Sequence, residues 1–315
     1  MILVCGGLAD SMVELICARL NDLGYEYLFF DQLHYPGRCN IAWEVSASGV
    51  NGYVSSSGKK VNLTDLTGVY ARYVSYSGGP ERPGFSGFSK VERDMLDAEY
   101  QLSLMQLLDL LPCVVVNRAK ASTSNDSKIY QAFVAASFGL RTPRTLVTTD
   151  PDEVRQFYEK CGRRVIYKSL SSVRSIVCRL TDEDLGKRLE RVRNCPTQFQ
   201  ECVEGVDIRV HTVNDQVFPT EIVSEVSDYR YARLQGSSLA MRATDIPTGI
   251  AESCIGMARS LGLVLSGVDL RRTPSGQYYC FEINPSPGFI FYERATGQPI
   301  SKAVAELLRA NQGVN

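Results

Sequence analysis

Histidine and tryptophan are scarce in this chain of 315 residues, which contains two histidines and one tryptophan. The histidines are His34 and His211, and neither lies in a nucleophile motif, so no catalytic triad can be argued. The ten cysteines include no Cys-x-x-Cys pair, which argues against a zinc site and against a disulfide framework. We expect reduced cysteines that pack as small hydrophobic side chains.

An excess of one charge and long apolar runs are also missing. The chain has 34 basic and 35 acidic residues, a formal net charge of -1, and no block rich in lysine or arginine. Neither nucleic acid nor an anionic membrane is therefore an expected partner. The N-terminus lacks the basic region and apolar core of a signal peptide, and no apolar run reaches the roughly 18 residues of a membrane span. We expect a cytoplasmic protein, and a homodimer is a possible state.

The predicted fold class is α/β, with lobes that also have α+β character. The chain opens as a βαβ unit, with a strand over Ile2–Cys5, a Gly6-Gly7 turn, a helix over Ser11–Leu23 and a strand over Tyr25–Phe30. The full Gly-x-Gly-x-x-Gly pattern is missing, so these glycines indicate a tight turn. The predicted domains are 1–112, 113–195 and 196–315.

Apolar periodicity and turn residues predict further elements. A strand is predicted over Val69–Val74, and another over Val165–Leu170 with Ser175–Leu180 as its hairpin partner. Helices are predicted over Lys90–Leu111, residues 248–261 and residues 299–310.

The most informative segment runs from Gly267 to Gly288, where a Thr-Pro-Ser-Gly-Gln turn joins two apolar runs. This pattern predicts a β-hairpin. Glu282 and Asn284 are two apart on a strand and share a face, so three oxygen ligands converge if Asp269 lies on the partner strand. Such a set suits Mg2+, which takes its other ligands from water and substrate phosphates. The alternative is a surface hairpin with ordinary polar residues.

Two lysines are candidates for phosphate binding. Lys168 alternates with apolar residues on a predicted strand and can reach a phosphate as a point charge. Ser171 and Ser172, which follow it, offer hydroxyls and backbone amides. Lys128 starts a predicted helix, where the dipole gives a positive side chain no advantage. The alternatives are a strand-edge lysine before a polar turn and a solvated helix lysine.

An adenine-binding hinge is predicted at residues 200–203, whose extended backbone can hydrogen-bond a base edge. Glu204 or Asp207 can then reach a ribose hydroxyl. Arg209 shares a face with Asp207 and can contact a phosphate, but ordinary cross-strand ion pairing explains both residues equally well. Arg230 can bind an acyl phosphate or a carboxylate bidentately, or it simply decorates a loop.

Five motifs follow one another along the chain: Asn117 with Lys128, Val-Ile-Tyr-Lys168, Phe-Gln-Glu-Cys-Val-Glu-Gly-Val-Asp-Ile-Arg209, Gly-Val-Asp269 and Phe-Glu-Ile-Asn-Pro285. This succession, over roughly residues 113–315, resembles the ATP-grasp superfamily, in particular its RimK-like and glutathione-synthetase-like branch. The stretches Ile-Tyr-Lys-Ser-Leu-Ser-Ser and Asp-Ile-Arg-Val-His are also similar to the peptide ligases that make microviridin-type graspetides. The first lobe resembles the domain that precedes the ATP-grasp domain in these enzymes.

The resemblance implies an ATP-grasp fold with an N-terminal βαβ pre-ATP-grasp domain, ATP and Mg2+ (or Mn2+) as cofactors, and a role for each matching residue. The implied nucleotide ligands are Lys128, Lys168, Ser171, Ser172, Glu201, Cys202, Val203, Glu204 and Asp207. The implied metal ligands are Asp269, Glu282 and Asn284, and the implied catalytic residues, which stabilise the phosphoryl group or acyl phosphate, are Arg209 and Arg230. Two segments depart from the family pattern: residues 169–175 contain no glycine, and a Pro-Ser-Pro-Gly-Phe stretch follows Asn284.

The expected function is an ATP- and Mg2+-dependent ligase that joins a carboxylate to an amine or hydroxyl through an acyl phosphate and releases ADP. A peptide or protein is the expected substrate, and free amino acids or small peptides are the alternative. Arg72 and the segments 76–89 and 229–242 are the predicted acceptor side. A non-catalytic ATP-binding sensor or scaffold and a kinase remain as other classes.

Overall fold

The computed structural model describes residues 1–74, 87–170, 177–224 and 239–310. The first lobe contains strands β1 (Ile2–Gly6), β2 (Tyr27–Asp31), β3 (Cys39–Ser46), β4 (Gly49–Ser56), β5 (Lys59–Asn62), β6 (Gly68–Ala71) and β7 (Val114–Val116), with helices α1 (Ser11–Asp22) and α2 (Lys90–Leu110). Four strands form a parallel sheet in the order β2-β1-β6-β7, and β3-β4-β5 form a separate antiparallel sheet. The predicted βαβ opening is confirmed.

The sequence explains the opening of this lobe. Every residue of β1 is buried, as expected for an inner strand of a covered parallel sheet. The carboxylate of Asp10 caps α1 by accepting hydrogen bonds from the N–H groups of Met12 and Val13, at 2.8 and 3.3 Å. The predicted strand over Val69–Val74 is shorter in the structure, because the chain leaves the sheet at Arg72, where a guanidinium would otherwise lie within the buried sheet.

The middle of the chain forms an antiparallel sheet with helices around it. Its elements are α3 (Ala119–Ser122), α4 (Lys128–Ser137), β8 (Thr145–Thr148), α5 (Pro151–Lys160), β9 (Val165–Ser169), β10 (Cys178–Arg179), α6 (Asp182–Lys187) and β11 (Thr197–Glu201). The strand order is β10-β9-β11-β8. The predicted pairing is confirmed at Cys178–Arg179, with Cys178 opposite Tyr167, while Ser175 and Ile176 of the predicted partner strand lie outside the described residues.

The last region is a larger antiparallel sheet in the order β14-β13-β12-β15-β16. Its elements are β12 (Val206–Val213), β13 (Gln216–Ser224), β14 (Leu239–Ala243), α7 (Thr248–Ser260), β15 (Leu265–Arg272), β16 (Tyr278–Asn284), α8 (Ile290–Thr296) and α9 (Ile300–Arg309). The last helix returns to the first lobe, where α9 packs against α1 and β6.

Sheet membership crosses both predicted domain boundaries. β7 follows the boundary at 112 but pairs with β6 in the first sheet. β11 follows the boundary at 195 but pairs with β8 and β9 in the middle sheet. The division into three domains stays a prediction.

One core cluster joins the first lobe to the last region. It includes Ile2, Val4 and Ile16 from the first lobe and Leu265 and Phe289 from the last. This shared core holds the carboxyl ends of β1 and β6 beside the loop that follows β16. In the described parts of the chain, no helix is both long and apolar enough to cross a membrane.

Most of the cysteines are buried, as the sequence predicts, but Cys195 is exposed. All ten lie in the described ranges and are free thiols. Burial raises the pKa of the Cys254 thiol to about 12, and it also raises the pKa of the Cys280 thiol well above its usual value. Such thiols stay protonated and pack as small hydrophobic groups.

Candidate active site

The predicted hairpin at the end of the chain is confirmed. β15 and β16 pair antiparallel, with Asp269 directly opposite Glu282 and Gly267 opposite Asn284. The pairing shifts by one residue after Asp269, so that Leu270 lies opposite Cys280 and Phe281 is an extra residue in β16. The carboxylates of Asp269 and Glu282 are adjacent on one face of the sheet, with side chains 19% and 15% exposed.

Each of these two carboxylates contacts a cation. Nζ of Lys128 lies 2.5 Å from Oε2 of Glu282, and Nη1 of Arg209 lies 2.6 Å from Oδ1 of Asp269. Two half-buried acids on neighbouring strands would repel each other without such partners. The site therefore has two anionic oxygen donors, the amide oxygen of Asn284 and two cations on one face.

This donor set fits Mg2+. Its protein ligands would be two carboxylates and one amide, which are all hard oxygen donors. No cluster of three or more His, Cys, Asp or Glu residues suited to a metal occurs in the ranges that the structure describes. The assignment of Asp269, Glu282 and Asn284 as metal ligands stays a prediction.

Gly267 makes room for Arg209, which the sequence reasoning did not anticipate. Arg209 lies on β12 opposite Asp269 and is only 5% exposed. A Cβ atom at position 267 would overlap the guanidinium of Arg209, lying 2.6 Å from its Nε. The Gly-Val-Asp motif was visible in the sequence, but the need for glycine depends on the register between β12 and β15.

Two buried amides fix the hairpin in place. Gln131 on α4 donates to the carbonyl of Ile283 at 2.7 Å and accepts from its N–H at 3.2 Å. Asn117 donates to the carbonyls of Leu265 and Pro285, at 2.6 and 2.5 Å, and accepts from the N–H of Leu265. Gln131 lies one helical turn after Lys128, so the same helix holds β16 and presents the lysine to Glu282. Sequence reasoning missed Gln131; a buried-looking glutamine at i+3 from that lysine was the available signal.

The hinge is built mainly from backbone contacts. Glu201 is the last residue of β11, and its N–H donates to the carbonyl of Arg144 at 2.9 Å. The N–H of Cys202 donates to the carbonyl of Arg164 at 2.8 Å. Glu204 is 67% exposed and forms a surface ion pair with Arg164 at 3.4 Å. The nucleotide roles of Glu201, Cys202, Val203 and Glu204 stay predictions.

Both residues for which cross-strand pairing was the alternative form such pairs. Arg209 binds Asp269 across β12 and β15, and Asp207 binds Nε of Arg271 at 2.7 Å. Nη1 of Arg271 also donates to the carbonyl of Val203 at 2.9 Å, and its guanidinium lies 5.3 Å from the ring centroid of Phe281. Arg271 thereby connects the hinge to the hairpin.

Of the remaining candidates, Lys168 is the one that lies in the described part of the chain. Lys168 lies on β9 of the middle sheet, opposite Gln198 of β11, and lines an open cavity of about 490 Å³ with Cys195 and Thr197. Ser171, Ser172 and Arg230 lie outside the described residues, as does most of the predicted acceptor side at 76–89 and 229–242.

Neither histidine is arranged as a catalytic base. His211 is fully buried against the rings of Tyr292 and Phe289, and it touches the backbone of Gly288 without a well-aligned hydrogen bond. Burial and the neighbouring Arg209 hold the pKa of His211 well below its usual value, so the ring is neutral. His34 pairs with Asp31 at 2.9 Å.

The sequence model of the RimK-like ATP-grasp domain matches residues 124–308. The chain belongs to the RimK-like ATP-grasp family. A curated relative, the probable alpha-L-glutamate ligase of Pseudoalteromonas translucida (strain TAC 125), is 24% identical over 218 residues, which cover 66% of this chain and 71% of the relative.

Solved structures of other ATP-grasp ligases share the whole fold. The macrocyclase MdnC bound with precursor peptide MdnA, from Microcystis aeruginosa MRC, superposes with a TM-score of 0.78 at 24% identity, covering 98% of this chain and 99% of MdnC. The ATP-grasp ligase PsnB complexed with minimal precursor, Mg and ADP gives 0.79 at 26% identity, covering 98% of this chain and 96% of PsnB. The predicted ATP-grasp fold with an N-terminal domain is confirmed, and the protein is an ATP-grasp ligase.

Proposed function

We propose that this ATP-grasp ligase activates a carboxylate of a peptide as an acyl phosphate and joins it to an amine or a hydroxyl. The observation that carries the proposal is the arrangement of Asp269 and Glu282 side by side, each beside a cation, on the face that also holds Asn284. Such an arrangement provides oxygen ligands for Mg2+ and positive charge for phosphates, with no protein nucleophile.

The proposed chemistry has two steps. An oxygen of the substrate carboxylate forms a bond to the γ-phosphorus of ATP while the bond to ADP breaks, giving an acyl phosphate. The amine or hydroxyl then attacks the acyl carbon, loses its proton, and phosphate leaves with the electron pair of the broken C–O bond. Both steps depend on positioning and on neutralising charge.

The residues of this chain would supply those two effects. Mg2+, held by Asp269, Glu282 and Asn284, would neutralise charge on the phosphate oxygens. Lys128 would bind phosphate as a point charge, while Arg209 would offer a planar guanidinium to the transferred phosphoryl group. Arg209 is well suited because its buried, fixed guanidinium needs little reorganisation. Lys168 would contact phosphate from the middle sheet.

A peptide substrate is favoured because two similar enzymes of known structure are bound to precursor peptides. Free amino acids are the second candidate, favoured by curated relatives that are named probable alpha-L-glutamate ligases. The two candidates are separated by supplying a peptide rich in Asp, Glu, Lys, Ser and Thr, or glutamate with an amine acceptor, and measuring ADP release and product mass.

The decisive test compares Glu282→Gln with Glu252→Gln, an exposed glutamate on α7. With a peptide that contains both carboxylate and acceptor, we expect ADP release and loss of one water from the peptide mass in the wild type and in Glu252→Gln, and neither in Glu282→Gln. Full turnover by Glu282→Gln would refute the proposal. Tight ATP binding without ADP release would favour a sensor or scaffold, and a stable phosphorylated peptide would favour a kinase.

A further inference from the structure

Arg72 connects the first lobe to the loop that follows Asn284. Its Nη1 donates to the hydroxyl of Ser286 at 2.7 Å and to the carbonyl of Ser286 at 3.3 Å. Its Nε donates to Oδ2 of Asp10 at 3.1 Å. The side chain is 23% exposed, so these bonds are partly shielded from water. They bridge positions 214 residues apart in the chain.

The first-lobe end of this bridge is rigidly held. Asp10 is fixed as the N-cap of α1. The backbone N–H of Arg72 donates to the carbonyl of Cys5 at 2.9 Å, and its carbonyl accepts from Nε2 of Gln32 at 2.9 Å. Asp10 and the backbone of Arg72 are therefore both anchored in the first lobe, which makes Arg72 a fixed support.

The other end of the bridge reaches a predicted metal ligand. The N–H of Ser286 donates to Oδ1 of Asn284 at 2.8 Å, so the position of Ser286 orients that amide. An amide oxygen has two lone pairs, so it can accept this hydrogen bond and still bind a cation. On the opposite side, Asn117 holds the carbonyl of Pro285. The loop after Asn284 is thus fixed from two directions.

We infer that Arg72 is a positioning residue for the metal site: it holds Ser286, and through Ser286 it orients Asn284 and sets the affinity for Mg2+. This inference rests on the proposed function, because it takes Asp269, Glu282 and Asn284 as the ligands. Groups that orient a metal ligand commonly change metal affinity by about ten- to a hundredfold when removed. The first lobe would thereby control the metal without contacting it.

The test uses the full chain and titrates Mg2+ in the presence of ADP by calorimetry, with unfolding temperature as a second readout. We expect Mg2+ affinity to fall by about tenfold or more in Arg72→Ala, and less in Arg72→Lys. Ser286→Ala removes only the shorter of the two contacts, so it should weaken binding by a smaller factor. The double variant Arg72→Ala/Ser286→Ala should bind Mg2+ only slightly more weakly than Arg72→Ala alone, because both changes interrupt the same set of contacts.

The matched control is Arg19→Ala. Arg19 also reaches from the first lobe to the last region, donating to Ser301 at 3.0 Å and to Glu293 at 3.2 Å, away from the predicted ligands. Equal losses of Mg2+ affinity in Arg19→Ala and Arg72→Ala would overturn the inference, since loosening of the lobes would then be the cause. Unchanged affinity in Arg72→Ala would also overturn it.

Glu282→Gln separates this inference from the proposed function. If Mg2+ binding is lost in Glu282→Gln but unchanged in Arg72→Ala, the metal site is supported and the role of Arg72 is refuted. If the wild-type protein with ADP takes up no Mg2+, both fall together. If Arg72→Ala does not fold, Ser286→Ala tests the inference instead, because it keeps the guanidinium of Arg72 and its bond to Asp10. Unchanged Mg2+ affinity in Ser286→Ala would refute the role of Arg72.

Discussion

The hairpin and the hinge are built differently, although both are predicted to bind parts of one ATP molecule. At the hairpin, the candidate ligands are side chains that are held by buried amides and paired with cations. At the hinge, hydrogen bonds hold the backbone, and the side chain of Glu204 is largely exposed. The predicted metal site would therefore depend on particular side chains, whereas the predicted base contact would depend on the path of the backbone.

The largest effect is expected at Gly267, where the hairpin tolerates no side chain. In Gly267→Ala the new Cβ would displace the guanidinium of Arg209 from Asp269. We expect kcat to fall about a hundredfold or more, because a fixed donor to the transferred group is lost, with little change in KM for ATP. Gly249→Ala is the control, since a Cβ there meets nothing within 4 Å. Unchanged kcat in Gly267→Ala would show that the position of Arg209 is not important.

The second effect concerns Gln131, whose two hydrogen bonds to the backbone of Ile283 hold α4 against β16. Gln131→Leu keeps the approximate volume but leaves the N–H and carbonyl of Ile283 without these partners. We expect the free energy of unfolding to fall by about 2–4 kcal/mol, since each buried group that loses its partner costs about 1–3 kcal/mol. Gln106→Leu on the exposed face of α2 should cost much less. Urea unfolding measures the free energy of unfolding of both variants. Equal decreases would mean that the hydrogen bonds of Gln131 do not stabilise the hairpin.

A smaller effect is expected at Arg271, which connects the hinge to the hairpin. Arg271→Ala removes the donor to the Val203 carbonyl and the partner of Asp207. We expect KM for ATP to rise about tenfold, as expected for loss of one charged hydrogen bond, with kcat nearly unchanged because the metal end keeps its contacts. Arg259→Ala, which removes an exposed ion pair to Asp215, is the control. A fall in kcat without a rise in KM would contradict the separation of the two ends.

The smallest effect is expected at Glu204. Both Asp207 and Glu204 form ion pairs, but Glu204 is 67% exposed and its pair with Arg164 lies at the surface, so Glu204 is the better candidate for a ribose hydroxyl. We expect Glu204→Ala to raise KM for ATP by about three- to tenfold and to leave the unfolding temperature unchanged, since exposed ion pairs contribute little. The contact is checked by measuring KM for ATP and for 2′-deoxy-ATP in the wild type and in Glu204→Ala. If 2′-deoxy-ATP raises KM by the same factor in both proteins, another residue contacts the ribose hydroxyl.

The same contrast explains which features the sequence could predict. The hairpin was readable because Glu282 and Asn284 alternate with apolar residues and a turn motif separates them from Asp269. The roles of Gly267 and Gln131 were not readable, because they depend on the register of β12 against β15 and on which face of α4 meets β16. The strand over Val69–Val74 was predicted too long, since local apolar character cannot report that Arg72 bonds to Asp10 and Ser286 across the molecule.

The extra residue in β16 has a consequence for insertions and deletions. Phe281 has no partner in β15, yet its ring supports the guanidinium of Arg271. Without it, Cys280, Glu282 and Ile283 would still alternate inward and outward, so Glu282 would remain opposite Asp269. Deletion of this single codon would therefore remove the ring beside Arg271, but it would keep the hydrogen bond from Arg271 to the Val203 carbonyl and the pairing of Glu282 with Asp269.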